Sequence, residues 1–187
     1  MDVNQMAVDR ARPFSICLFR TDDAACLGSI QGLLASSEGA GSSIVIDRNS
    51  IFSERHMASA IYHAARAIKN KQGRARDPAI EVLRWLSGSH QVATGMRTAG
   101  PSEGTTHLIL LRAPPDWPSD EDALELPEIR IGEWGGGAVK GMTYVPITDL
   151  NECWGGDAAL KKLGLSRYEG RPDAELAVLE LVTTSDL

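Results

Sequence analysis

Few side chains in this sequence could carry out chemistry, and their spacing argues against most reactions. Four histidines, His56, His63, His90 and His107, are the natural candidates for proton transfer or metal ligation. None pairs with another at i,i+4 and no HExxH occurs, so a helix-borne zinc site is not encoded. His56 and His63 lie seven residues apart and can share a helix face. No carboxylate stands in register with them, so both are expected as satisfied rings rather than catalytic ones. The nucleophile elbow G-x-S-x-G is absent, and no cysteine neighbours a histidine. Cys17, Cys26 and Cys153 have neither metal-type nor redox-type spacing, and their odd number argues against a disulfide scaffold.

The glycine-rich segment 132–141 (GEWGGGAVKG) invites a phosphate-binding reading. It lacks G-x-x-x-x-G-K-[ST], and Gly141 follows Lys140, so no hydroxyl is available for magnesium. A flexible loop is expected, with a small nucleotide-binding enzyme kept as the alternative. Trp117 and Trp134 either pin that loop or stack on a base. Trp85 falls inside a helical pattern and is expected in the core or at an interface.

What remains is charge. Lys69, Lys71, Arg74 and Arg76, with Arg66 just before them, form a basic run broken by Gly73. Cations in a last helical turn favour the negative end of the helix dipole, which accounts for two of them. The others are free to face a polyanion. Net charge is −6 over the chain, yet residues 44–112 carry ten basic and five acidic groups, while 113–187 carry six and fifteen. Two readings stay open: the basic middle touches nucleic acid, or it meets the acidic carboxyl-terminal part of its own chain.

The elements that must position these residues lie between 50 and 100. A first helix is expected over 54–71, with Ser53 as N-cap and Met57, Ile61, Ala64 and Ile68 on one face. Ala58, Ala60, Ala65 and Ala67 keep that helix slim, either as a docking face for a partner or as an internal seam. Asp77-Pro78 opens a second helix buried through Ile80, Val82, Leu83 and Leu86, and Ser87-Gly88 stops it. Ser89 is expected to cap a third helix carrying Val92 and Met96, which breaks at Gly100-Pro101.

The alanine-rich block from His56 to Ala67, the run E-x-L-x-x-L-S-G-S-x-Q-V over 81–92, and the turn Gly100-Pro101-Ser102 before a strand resemble one family. It is the PRPK-binding-protein family, the small kinase-binding accessory subunit of the KEOPS complex. The resemblance covers 14–112 and extends to the tail 159–181 (ALKKLGLSRYE, then ELAVLEL). His90 stands where members commonly carry arginine, and Pro101 where isoleucine is usual. The resemblance implies a noncatalytic subunit that docks directly on the small KEOPS kinase/ATPase, and through it joins the threonylcarbamoyl transferase. Such a complex makes threonylcarbamoyladenosine in tRNA, and the accessory subunit holds the 3′ CCA end. RNA contacts are then expected on Lys69, Lys71, Arg74, Arg76 and Arg84. His90 and Gln91 would supply hydrogen bonds to base or sugar. Neither cofactor nor metal is implied. A kinase-regulating adaptor without RNA is the remaining alternative.

The expected fold class is α+β: a mixed β-sheet, opening β-α-β, packed against a cluster of helices in a single domain over 1–187. Residues 1–12 are expected to be loose. Strands are read at 14–19, 43–47, 105–112 and 142–147, with the third central and the fourth pushed to an edge by Pro146. A helix is read over 21–34 and stopped by 38–41. Residues 113–137 read as an acidic, glycine-rich insertion holding a short strand at 128–131, or a hairpin. Helices close the chain at 157–163 and 172–182, the last with Glu175, Leu176, Leu179 and Val182 facing inward. No run approaches the roughly 20 apolar residues of a membrane span. The start MDVNQMAVDRARP has no apolar signal region, so a reducing cytoplasm is the expected compartment.

Overall fold

The computed structural model describes residues 13–21, 30, 33–34, 42–119 and 124–184. The expected loose start, most of the 21–34 helix, its stop at 38–41 and the acidic residues 120–122 lie outside them. Ile30, Leu33 and Leu34, which are described, are helical.

Five strands form one mixed sheet. They are β1 (Phe14–Thr21), β2 (Ser43–Asp47), β3 (His107–Arg112), β4 (Ile129–Ile131) and β5 (Met142–Val145). β3 lies between β2 and β1 and is antiparallel to both, with Leu110 opposite Cys17 on one side and Val45 on the other. β1 and β2 therefore run parallel but are not neighbours. The other edge of β1 is shared: Phe14–Ile16 pair in parallel with β4, and Leu18–Thr21 pair antiparallel with β5. The short strand in 113–137 thus enters through β1 rather than as a hairpin. β3 is central, as its two-sided apolar run demands, and β5 sits at the edge before Pro146.

Strand alternation sends side chains to two buried layers. Phe14, Ile16, Leu18, Ile44, Ile46, Ile109 and Leu111 face the helices, while Cys17, Phe19, Val45, Leu108 and Leu110 face Leu33, Met142 and Trp134. Burying each aliphatic or phenyl side chain contributes about 1.5–3 kcal/mol. Trp117 meets Phe14 edge-on at 5.6 Å, and Trp134 meets Phe19 at 5.1 Å. Both tryptophans therefore pin the 113–137 stretch to the sheet.

The helices are α1 (Glu54–Lys69), α2 (Pro78–Leu86), α3 (Val92–Ala99), α4 (Asp157–Lys162) and α5 (Ala174–Thr183). α1 packs on α2 and α5, and α2 on α3. Local signals set their starts: Ser53 Oγ accepts the His56 N–H, and Asp77 accepts the Ala79 N–H ahead of Pro78. Gly88, at φ 62°, ends α2 where Leu181 of α5 closes over it. Ala58 and Ala65 are buried, so the alanine stripe of α1 is an internal seam and not a docking face. Ser89 does not cap α3. Gln91 holds the cap position, and the Ser89 hydroxyl closes a turn onto the Gln91 N–H at 3.0 Å.

Met96 is exposed, because α3 approaches α2 through Gly95: a Cβ there would lie 2.7 Å from Arg84 Cα. One expected inward face, that of α5, is corrected. In α5 the buried residues are Ala174, Ala177, Val178 and Val182, and Leu176 faces outward. Glu175 instead accepts the Ser53 hydroxyl at 2.7 Å. Among the described residues, no helix is long and apolar enough to cross a membrane.

Candidate nucleic-acid interface

The basic loop leaves α1 through a strained turn. Lys71 adopts φ 58°, left-handed backbone that costs a non-glycine residue about 1 kcal/mol. The amides of Gln72 and Gly73 both return to the Ala67 carbonyl, at 2.8 and 3.0 Å. The chain is thereby reversed off the end of α1, and Lys69, Lys71, Arg74 and Arg76 are all exposed. His90 and Gln91 are exposed as well, at the joint between α2 and α3. One hydrogen bond brings the two segments together: Arg74 Nη1 donates to the His90 carbonyl at 3.2 Å. Six of the seven expected RNA-facing residues therefore lie at the surface: Lys69 at the end of α1, and the other five on a loop and a joint that touch.

The seventh, Arg84, does not. Its side chain is wholly buried, and its Nη2 pairs with Glu81 Oε1 at 2.6 Å, one helical turn back. Nη1 donates to the Ser89 carbonyl at 3.0 Å, and the guanidinium lies over the Trp85 ring at 4.5 Å. The reason is geometric. Gly95 lets α3 press onto the α2 backbone at Arg84, so that side chain points into the seam and must find its partners there. Arg84 is a structural cation and is withdrawn from the set of RNA contacts.

The positive surface continues along α1 by ring contacts that the sequence reading did not assign. His63 stacks on Trp85 at 4.8 Å and 23°, Tyr62 meets His63 edge-on, and Arg66 lies over Tyr62 at 5.4 Å. Tyr62 and Arg66 stand at i,i+4 in a predicted helix, and this spacing was the available signal.

The acidic carboxyl-terminal part touches the helices elsewhere. Glu175 pairs with Arg55, and at the end of β2 the signs are reversed, Asp47 receiving Lys162 Nζ at 2.7 Å. Among the described residues, no carboxylate pairs with the side chains of Lys71, Arg74 or Arg76.

The remaining reactive side chains are occupied by structure. His56 is fully buried, with Nδ1 accepting the Phe52 N–H at 3.1 Å and Nε2 bonded to the Leu86 carbonyl at 3.0 Å. Burial pushes its pKa down to about 4, against the opposing pull of the Leu86 bond. Burial likewise pushes the Cys153 thiol up to about 12, which leaves no thiolate for attack at neutral pH. In the 132–141 loop, Gly136 lies against the Trp134 ring, and Trp134 Nε1 donates to the Gly137 carbonyl at 3.1 Å. Gly136 there lets the chain fold over a tryptophan. Among the described residues, no group of three or more His, Cys, Asp or Glu could hold a metal ion.

A family model described as kinase binding protein CGI-121 matches residues 27–133. That span holds α1, α2, α3, the basic loop and the joint, and exceeds half of the 187 residues. Comparison with curated proteins gives no match.

Proposed function

This chain belongs to the CGI-121 family of kinase-binding proteins, and from that premise we propose that it is a noncatalytic subunit of the KEOPS complex. It binds the small KEOPS kinase/ATPase directly, reaches the threonylcarbamoyl transferase through it, and holds the 3′ CCA end of tRNA for threonylcarbamoyladenosine synthesis in the cytoplasm. Its contribution is contact rather than chemistry, with no cofactor or metal of its own.

One observation carries the RNA half of this reading. Lys71, Arg74 and Arg76 stand exposed beside His90 and Gln91, tied by the Arg74–His90 hydrogen bond. Cations that track a phosphate backbone next to groups able to hydrogen-bond bases are what single-stranded RNA ends require. Arg66 over Tyr62 extends the cationic edge.

Reversing Lys69, Lys71, Arg74 and Arg76 to glutamate tests the reading. Each lost phosphate contact on a single strand lowers the salt slope by about 0.7, so four lower it by roughly 3. Gel shift with a CCA-ended tRNA at several salt concentrations measures this. Unchanged affinity and slope would remove the basic loop as the RNA site. Coelution with the kinase subunit on size exclusion tests the protein half separately, and the charge-reversed protein is expected to coelute as the parent does.

A further inference from the structure

Glu81 is buried completely, and five N–H groups aim at its two oxygens. Oε1 takes Arg84 Nε at 2.8 Å, Arg84 Nη2 at 2.6 Å and Trp85 Nε1 at 3.1 Å. Oε2 takes the backbone amides of Arg74 at 3.1 Å and Ala75 at 2.9 Å. One carboxylate offers about four lone-pair sites, and here they are all engaged. Through Oε2 it fastens the basic loop that precedes α2. Through Arg84, whose Nη1 holds the Ser89 carbonyl at 3.0 Å, it fastens the joint that follows α2. The exposed Arg74–His90 bond then closes the same ring from outside.

We infer that Glu81 is a positioning residue for RNA: it sets the loop carrying Lys71, Arg74 and Arg76 at a fixed distance from His90 and Gln91. This rests on the RNA-holding reading above. A buried ion pair is weak evidence for stability, because desolvation offsets the attraction. Its attested use is to select one arrangement among several, and two backbone amides of an exposed loop are an unusual load for a core carboxylate. Without that anchor, the loop would explore many conformations and bind RNA from only a few. If the competent arrangement falls to about a tenth of the population, the apparent Kd rises about tenfold. The phosphate contacts, once made, stay the same in number, so the salt slope does not change.

The experiment combines hydrogen exchange with RNA binding in the full chain. In the parent protein, the Arg74 and Ala75 amides are expected to exchange at least tenfold more slowly than their exposed loop neighbours. In Glu81→Gln those two amides should lose protection while α1 keeps its own. CCA-ended tRNA should then bind about tenfold more weakly with an unaltered salt slope. A residue with a merely structural role would lower melting temperature without separating affinity from slope in the folded protein. Should Glu81→Gln fail to fold, Ala75→Pro removes one amide donor and leaves the buried pair untouched, and the same binding readings apply. Fast exchange at Arg74 and Ala75 in the parent, or full RNA affinity in a folded variant whose amides have lost protection, overturns the inference. Absence of RNA binding by the parent protein also removes it, but marks the RNA-holding reading as the failed step.

Discussion

Lowering pH should break one identifiable atom pair at the start of α1, His56 Nδ1 with the Phe52 amide, while the Leu86 bond to α2 persists. His56 Nε2 meets the Leu86 carbonyl at 3.0 Å in a site with no exposure, and its Nδ1 accepts the Phe52 amide. A proton on Nδ1 breaks the second bond and leaves a buried charge. Burial accordingly lowers the pKa from 6.5 to about 4 in the folded chain. Below the unfolded value the unfolded chain binds a proton that the folded chain refuses. The contribution is therefore complete above about pH 6.5, fades as pH falls towards about 4, and changes no further below that. At about 1.4 kcal/mol per unit, the whole effect is on the order of 3 kcal/mol, and roughly 2 kcal/mol of it falls between about pH 7 and pH 4.5. Urea unfolding at those two pH values, for the parent chain and for His56→Gln, isolates the contribution of this ring. The variant starts less stable, but its loss on acidification should be smaller by that 2 kcal/mol. Parallel losses in the two proteins would refute the argument. So would a His56 ring resonance titrating near 6.5 in the folded state.

Four further outcomes follow from the packing. Gly95→Ala should destabilise the chain by about 1–3 kcal/mol in denaturant unfolding, because its methyl would meet the Arg84 backbone rather than a yielding side chain. Ser53→Ala should cost about 1 kcal/mol on the same measurement, through loss of the α1 cap and of the hydroxyl held by Glu175. Lys71→Gly should be neutral or mildly stabilising, since glycine relieves the left-handed strain at the end of α1. Cys17 and Cys153, both buried, should resist alkylation in the native protein and react only on unfolding, as resolved by peptide mass spectrometry.

Two helix starts and one stop were legible because their causes are local, whereas the start of α3 was not, Gln91 and not Ser89 holding its cap position. Ser53, Asp77-Pro78 and Ser87-Gly88 each act within a few residues of themselves, and all three behave as read. The central place of β3 followed from its two-sided apolar run. Strand order was not legible, since nothing in β1 or β2 says that β3 will be threaded between them. The face of α5 was missed because apolar residues ring it almost completely, so periodicity selects no side. Arg84 was misplaced for a sharper reason. An arginine in a helix end looks like surface, and only Glu81 at i−3, Trp85 beside it and a distant glycine reveal the seam. The exposure of Lys71, Arg74 and Arg76 was legible because a polar run after a helix end has no apolar side to bury.

The hydrogen bond from Thr105 to Asp47, at 2.8 Å and spanning 58 positions, ties the end of β2 to the approach of β3. Everything from α1 to α3 hangs between those two points, like a bud on a stem whose neck is knotted. Such a bud cannot swing free as a separate lobe, because its neck is closed and its underside shares one core with the sheet and with Val182 of α5.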